Sequence, residues 1–344
     1  QQYYAAQADI TPYLPDLLES RKDPLLRDTL RVARWLRLTP REAAWRPTAM
    51  RVLAQNVQRA TLPLGLRLRC VAALALSGDS GVGTLLARLM ENPSPTLRYL
   101  GALGSSLLRD PRHFSLLESL LQDSDPRVQR AACLGMGALS HPKAMESIAA
   151  VLVGGDEMLQ QLAAETLAAN RTEGHEILRE AMTFDDLLVR RAAVAGLLAV
   201  HQPWAEAALR KMQMEDSEWV VRTAAEQALK QLEGQNPYIP QPQTPLRDTP
   251  WLLAYAAEQG RGIASEEQGL ETLVHMLQHG NVEQRLTALQ CLRMHPDLRE
   301  GGVAAIYALL YGDDTDLQEA ALETLWHLAA ARLPLPPPMQ FGFE

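Results

Sequence analysis

Apolar and polar positions along the chain repeat with a period of about 31 residues. The segment Asp125-Pro126-Arg127-Val128 is the template, with a capping residue three positions before an apolar anchor. From Leu68 to Val221 the steps between anchors are 29, 31, 31, 30 and 32 residues. A fixed period of this length is the signature of a repeat protein. The anchors are Leu26, Leu68, Leu97, Val128, Leu159, Val189, Val221 and Leu317, with a weaker copy at Glu283. The gap from Val221 to Glu283 is two periods, and Leu252 stands where the missing anchor should be.

Each repeat is predicted to contain two helices. The short polar residue before an anchor can accept hydrogen bonds from the free N–H groups of a helix start. Residues of this kind are Asp23, Ser94, Asp125, Asp156, Asp186, Asp314 and, before Leu252, Thr249. An apolar cluster at helical spacing, about eleven residues earlier, indicates a first helix. Small residues three and four positions after the anchor, such as Ala192 and Ala193, let neighbouring second helices approach closely.

Breaks in this pattern suggest a division of the chain into blocks. We predict repeat blocks over residues 1–232 and 251–331, separated by a proline-rich segment at 233–250 and followed by a proline-rich tail at 332–344. Four prolines between Pro237 and Pro245 forbid a helix there. This segment is either a strap, with Tyr238 and Ile239 as plugs, or a simple linker. The tail is predicted to be polyproline II, serving as a docking motif, a packing strap or a disordered end.

Composition and charge favour a helical protein with two electrostatically different ends. Apolar residues make up 47% of the chain but aromatic residues only 5%, which suits a core of Ala, Leu, Val and Met. The net charge is −8. Residues 1–72 carry 12 of the 33 basic residues and 6 of the 41 acidic ones, so the remainder carries 21 and 35. An acidic chain argues against general attraction to nucleic acid or anionic lipid.

The basic end contains one organised feature. Arg27, Arg31 and Arg34 share one face of a predicted helix. This stripe could bind an acidic protein or a nucleic-acid backbone, or it could balance the acidic remainder of the same molecule.

No cluster of residues predicts an active site. Cys70, Cys133 and Cys291 fall on predicted second helices, so we interpret them as buried thiols of a cytoplasmic protein. The glycines of 78–84 lack the lysine of a phosphate-binding loop and indicate a turn. His275 and His279 have metal-compatible spacing but are interpreted as exposed surface histidines. The longest relevant apolar run, 192–200, is too short to span a membrane.

With the anchors, caps and alanines in place, the pattern over about residues 20–331 resembles the short HEAT-like repeats of bacterial and cyanobacterial proteins, including the phycobilin lyases. The resemblance implies an α-solenoid of about ten helix pairs, one of them degenerate. It also implies an Asp–Arg ladder between repeats, to which Asp186 and Arg190 would belong. The ladder should be incomplete, because Gln follows the anchors Val128 and Leu159. HEAT-like deoxyhypusine hydroxylases carry several His-Glu pairs for a di-iron centre, whereas His175-Glu176 is a single pair.

The functional prediction is a non-catalytic scaffold or adaptor that binds a protein, either alone or as an arm of a larger complex, with no cofactor and no metal. Residues next to anchors on second helices are expected to be exposed and to contact the partner, together with the basic stripe. An alternative is a tetrapyrrole-handling protein like the phycobilin lyases, and another is nucleic-acid binding through the basic end. The candidate partner-binding residues are Arg27, Arg31, Arg34, Arg98, Tyr99, Arg190, Arg191 and Arg222.

Overall fold

The predicted all-α helical-repeat fold is confirmed. The computed structural model describes residues 10–18, 25–139, 141–234, 245–295 and 298–343, and within them the chain forms nineteen α-helices, four 3-10 helices and no strand. The α-helices are α1 Leu14–Leu18, α2 Arg27–Leu36, α3 Arg46–Gln58, α4 Leu64–Ala75, α5 Val82–Met90, α6 Pro95–Leu108, α7 Phe114–Leu120, α8 Pro126–Ala138, α9 Ala144–Gly154, α10 Glu157–Ala168, α11 Glu173–Ala181, α12 Leu187–Ala199, α13 Pro203–Glu215, α14 Trp219–Gly234, α15 Pro250–Glu258, α16 Glu266–His279, α17 Val282–Leu292, α18 Glu300–Leu310 and α19 Thr315–Ala330.

By packing, the chain divides into two compact units. We call residues 71–239 the central unit, and residues 1–70 together with 240–344 the terminal unit. The sequence-based boundaries at 232 and 251 concern the repeat pattern and stay a prediction.

Five helix pairs form the central unit. Within each pair, from α5 with α6 to α13 with α14, the first helix packs against the second. Each second helix also packs against the second helix of the next pair, along α6, α8, α10, α12 and α14. The anchors and alanines fill this interface as predicted, because they lie on the stripe that faces neighbouring helices. The fully or nearly fully buried members are Val128, Ala131, Ala132, Leu159, Ala163, Ala164, Val189, Ala192, Ala193, Val221 and Ala225.

Helix starts confirm four of the predicted caps. The carboxylates of Asp125, Asp156, Asp186 and Asp314 accept hydrogen bonds from backbone N–H groups of the first turn. The expected caps at Ser94 and Thr249 are wrong, since neither side chain accepts such a bond from a described residue. Thr249 Oγ1 instead donates to Pro245 O at 3.0 Å. Asp23 lies outside the described residues.

The terminal unit contains the pairs α16 with α17 and α18 with α19, whose second helices also pack on each other. Helix α15 stands where the degenerate pair was predicted, and its anchor Leu252 is buried. Residues 235–244, which include Tyr238 and Ile239 and most of the predicted strap, lie outside the described residues.

The N-terminal repeat differs from the prediction. Leu26 is buried, but its φ of 52° lies in the left-handed region, so α2 begins only at Arg27. The expected place of Leu26 on the first helical turn is therefore wrong. Helix α3 is joined to α4 by Arg67, whose Nε donates to Val57 O at 2.8 Å.

The proline-rich tail packs against helix α18 within the terminal unit. Pro338 is buried, and the 3-10 helix Pro338–Phe341 contacts α18. The ring of Phe343 stacks on Tyr311 with centroids 5.4 Å apart, and Phe341 lies 6.1 Å from Tyr307. Of the three alternatives for the tail, the structure shows the packing strap.

Candidate protein-binding surface

The predicted exposure of Arg98 is wrong. Its side chain is only 16% exposed, because its guanidinium forms a two-point ion pair with Asp123 in the turn of the next helix pair. The distances are 2.6 Å from Nε to Oδ2 and 2.8 Å from Nη2 to Oδ1. Nη1 donates to the backbone carbonyls of Asn92 and Pro93. The hydrogen bond from Arg98 holds the pKa of Asp123 below its usual range.

Arg190 repeats this arrangement, and its predicted exposure is also wrong. Its side chain is 11% exposed and pairs with Asp216, with Nε to Oδ2 at 2.9 Å and Nη2 to Oδ1 at 3.2 Å. Its Nη1 donates to the carbonyls of Phe184 and Asp185. The ladder partner expected from the resemblance, Asp186, instead caps α12 through Leu188 N. Burial by itself raises the pKa of Asp216, but the hydrogen bond from Arg190 brings that pKa below its usual value.

The position immediately after the anchor explains these contacts. In several repeats a long polar side chain there donates to the carbonyl of the residue six positions earlier, in the turn between the two helices. The donors and acceptors are Arg98 to Asn92, Gln129 to Asp123, Arg190 to Phe184, Arg222 to Asp216 and Gln318 to Gly312. Arg222 is therefore half-buried, contrary to its predicted exposure. The sequence signal was the recurrence of Arg or Gln directly after an anchor.

The exposed face of the second helices is formed by three other positions. Residues one before, two after and six after the anchor share one side of a helix. We call this side, on α8, α10 and α12, the second-helix face. It presents Met158 and Leu134, which are 65% and 42% exposed, and Leu188, which is 38% exposed. None of these three residues is among the predicted partner-binding residues, although their register relative to the anchors marks them in the sequence.

Two of the predicted partner-binding residues, Arg191 and Tyr99, lie two positions after an anchor. Arg191 is exposed on α12, as predicted, and pairs with Glu157 on α10. Arg130, its equivalent on α8, places Nη1 3.8 Å from the sulfur of Met158. Tyr99 on α6 is only half-buried against the core rather than fully exposed.

A groove of about 230 Å³ runs along this side of the central unit between α10, α12 and α14. Its walls combine aliphatic side chains with side-chain amides and the Arg191–Glu157 ion pair. The lining includes Gln161, Leu188, Arg191, Leu198, Gln227 and Gln231. Such a surface can take up an apolar side chain and hydrogen-bond its neighbours.

The predicted basic stripe is present in the terminal unit. Arg27, Arg31 and Arg34 are all exposed on α2. Arg31 Nη1 lies 2.8 Å from Asp28 Oδ1, so part of its charge is balanced on the same helix. A role for this stripe in partner binding stays a prediction.

The cysteines lie in surroundings that disfavour thiolates. Cys70 and Cys133 are buried, and burial raises the pKa of Cys70 to about 12 and that of Cys133 to about 11. Cys291 is half-buried and its pKa is also raised by burial. The three thiols therefore favour packing roles over nucleophilic ones.

The histidines do not form a metal site with their neighbours. His275 is half-buried rather than exposed, with Nδ1 3.1 Å from Tyr255 Oη, whereas His279 is exposed as predicted. His175 is buried, with Nε2 3.0 Å from Ala168 O. In the described part of the chain no three His, Cys, Asp or Glu side chains are grouped as metal ligands would be, and no helix is long and apolar enough to cross a membrane.

Comparisons with known proteins agree with the repeat pattern. A family model described as HEAT repeats matches residues 82–168 and 145–230. Human deoxyhypusine hydroxylase in complex with glycerol shares 16% identity, with a TM-score of 0.38, over 82% of this chain and 96% of that one. An engineered protein shares 16% identity, with a TM-score of 0.33, over 95% and 93%. A search of curated protein sequences finds no match.

Proposed function

We propose that the chain, which matches a HEAT-repeat family model over residues 82–230, is a non-catalytic scaffold whose second-helix face binds a protein partner. Stacked helix pairs offer long surfaces that suit extended recognition. The partner is an extended or helical protein segment, and the scaffold forms one arm of a larger assembly in the cytoplasm.

The observation that carries this proposal is the exposure of Met158 and Leu188 at equivalent positions of neighbouring second helices. Exposed apolar side chains that lie next to one another mark interaction sites more often than scattered ones do. Arginine and methionine are enriched in protein interfaces, and Met158 lies between Arg130 and Arg191 in the repeat order. The flexible thioether of methionine adapts its shape to a partner.

A non-catalytic role is supported by the environment of the nucleophiles. Cys70 and Cys133 are buried, so a substrate has no access to their sulfur atoms. Ser105, whose Oγ lies 2.8 Å from His113 Nδ1, is fully buried as well, and His113 Nε2 is 3.1 Å from Gly83 O. Cys133, Ser105 and His113 lie in the interior of the central unit, and Cys70 lies in the interior of the terminal unit.

The test is affinity capture from an extract of the source cells with matched variants. Met158→Glu combined with Leu188→Glu places two charges on the second-helix face and should reduce the captured partner about tenfold or more. Met214→Glu is the control, because Met214 is 80% exposed on the first helix α13. Equal losses with both variants, or no protein retained by the wild-type chain above the bead background, would contradict the proposal.

A further inference from the structure

A second groove, of about 520 Å³, lies in the terminal unit between α16 and the start of α18. Its floor is aliphatic, formed by Leu270, Val274 and Leu298. Along α16 it extends from Glu266 to Gln278. Twelve helical steps correspond to about 18 Å, so the groove is as long as roughly three helical turns.

Carboxylates line one wall of this groove. Glu266, Glu267 and Glu271 lie on α16, and Glu267 and Glu271 are one turn apart on its rim. Glu266 accepts a hydrogen bond from Leu246 N at 3.1 Å and lies 3.9 Å from His295. Glu267 pairs with Arg299. Among the described residues Glu271 has no ion-pair or hydrogen-bond partner.

The opposite wall is open and carries positive charge only at its edge. Arg299 and the N-terminus of α18 are the positive groups, and Arg299 is already engaged by Glu267. Three carboxylates and one guanidinium give the lining a net charge of −2 when His275 is neutral. Burial and the nearby His279 and Arg261 lower the pKa of His275, which favours its neutral form at pH 7.

Glycines give the groove its depth. An added Cβ at Gly301 would meet no atom within 4 Å, so this position opens directly onto free space. At Gly302, by contrast, a Cβ would lie 2.4 Å from Leu298 Cδ1. Leu298 can therefore form part of the floor only because residue 302 has no side chain.

We propose that this groove binds a short basic amphipathic helix of a partner protein. The helix lays its leucine-like side chains on Leu270, Val274 and Leu298, and its Lys or Arg side chains face Glu271 and its neighbours on α16. Amphipathic helices bind in this way to apolar grooves of matching length, with anchors spaced as on one helix face. Charge complementarity along the rim selects basic over acidic sequences. This site lies in the terminal unit and is independent of the second-helix face.

The test uses the full chain and labelled synthetic peptides of about 14 residues, roughly 21 Å long as helices. One peptide has leucines on one face and lysines on the other. A second replaces the lysines with glutamates, and a third scrambles the first so that no apolar face remains. Fluorescence anisotropy should show saturable binding of the first peptide. The affinities for the other two peptides should be weaker by about tenfold or more, and a tenfold loss corresponds to about 1.4 kcal/mol of binding free energy.

Two variants locate the binding, each with a matched control. Gly301→Leu fills the open space and should lower the affinity for the basic peptide about tenfold. Gly154→Leu is the control, because Gly154 is another helical glycine with free space around its Cβ position, and it should leave this affinity unchanged. Glu271→Lys should weaken binding about threefold to tenfold, whereas Glu176→Lys changes the same net charge at an exposed site of the central unit and should not. Circular dichroism and melting curves check that all four variants fold.

Several outcomes would overturn the proposal. Equal affinity for the scrambled peptide, or preference for the glutamate peptide, would show that the groove does not select a basic amphipathic helix. Unchanged binding in Gly301→Leu would place the peptide elsewhere. If sedimentation shows self-association that Gly301→Leu abolishes, the occupant is a second copy of the chain.

Discussion

At the residue scale, two of the long polar side chains that directly follow an anchor, Arg98 and Arg190, link a repeat to its neighbour. Arg98 and Arg190 close the turn of their own repeat through backbone carbonyls and reach the aspartate of the next repeat. Each guanidinium thus satisfies several polar groups that are shielded from water. Buried polar groups are costly when a partner is removed, so these arginines should matter more for stability than exposed ones.

The substitution Arg190→Ala tests this difference. It leaves Asp216 and two turn carbonyls without their donor and should lower the free energy of unfolding by about 3 kcal/mol. Arg191→Ala, one residue further, removes only an exposed ion pair with Glu157 and should cost less than about 1 kcal/mol. Urea denaturation measures both changes. Similar losses for the two variants would show that Arg190 has no special role.

Acid should weaken the same contacts. The pKa of Asp123 is lowered by Arg98 in the folded chain, so the folded state binds fewer protons there than the unfolded state. Its contribution to stability is present above the unfolded pKa of about 3.9 and is lost as the pH falls through the folded pKa. The stability difference between the wild type and Asp123→Asn should therefore shrink from pH 7 to pH 3. Asp313→Asn, at an exposed turn residue, is the control and should show a small difference at every pH. A difference for Asp123→Asn that is constant with pH would contradict this explanation.

At the element scale, small residues determine how closely the second helices stack. Ala164 on α10 and Gly196 on α12 form one of the closest approaches. A Cβ at Gly196 would lie 2.7 Å from both Ala164 O and Leu178 Cδ2. The first of these atoms belongs to the backbone of a neighbouring helix and cannot move aside as a side chain can. The absence of a side chain at residue 196 is therefore a packing requirement of α12 against α10 and α11.

Gly196→Ala should destabilise the central unit by about 1–3 kcal/mol, because overpacking outweighs the usual gain of alanine over glycine in a helix. Gly154→Ala at the end of α9 meets no atom within 4 Å and should be neutral or stabilising. Thermal melting compares the two. If Gly196→Ala is as stable as the wild type, the helices are not held at this distance by the glycine.

The helices themselves were predictable because their signals are local. Anchors, caps and alanines lie within a few residues of one another, so Val128 with Asp125 and Ala132 defines a helix start and its packing side. The role of Arg190 was not predictable, because its partner Asp216 lies 26 residues away and follows from how two pairs stack. The start of α2 was misplaced since the left-handed conformation of Leu26 leaves no mark in the sequence. Met158 and Leu188 stand one position before the anchors Leu159 and Val189, so their exposure was open to prediction from the register of the repeat.

At the scale of the whole molecule, both ends of the sequence contribute to the terminal unit. Gly65 N donates to Glu319 Oε2 at 2.8 Å, and Arg69 pairs with Glu323 at 3.1 Å across 254 positions of the sequence. Arg69 also lies over the ring of Trp326, with Cζ 4.7 Å from the centroid. Contacts over such a separation cannot be inferred from a repeat pattern. The two proposed binding surfaces belong to different units, so variants can separate them.

The binding of a protein to the second-helix face is the central claim, and methionine methyl NMR tests it most directly. The chain has 11 methionines, of which Met158 lies on the second-helix face and Met214 on the first helix α13. Both are exposed, at 65% and 80%, so both methyl groups can report a bound partner. On addition of the captured partner, the Met158 signal should shift or broaden while the Met214 signal stays unchanged. An unchanged Met158 signal under saturating partner would contradict the claim.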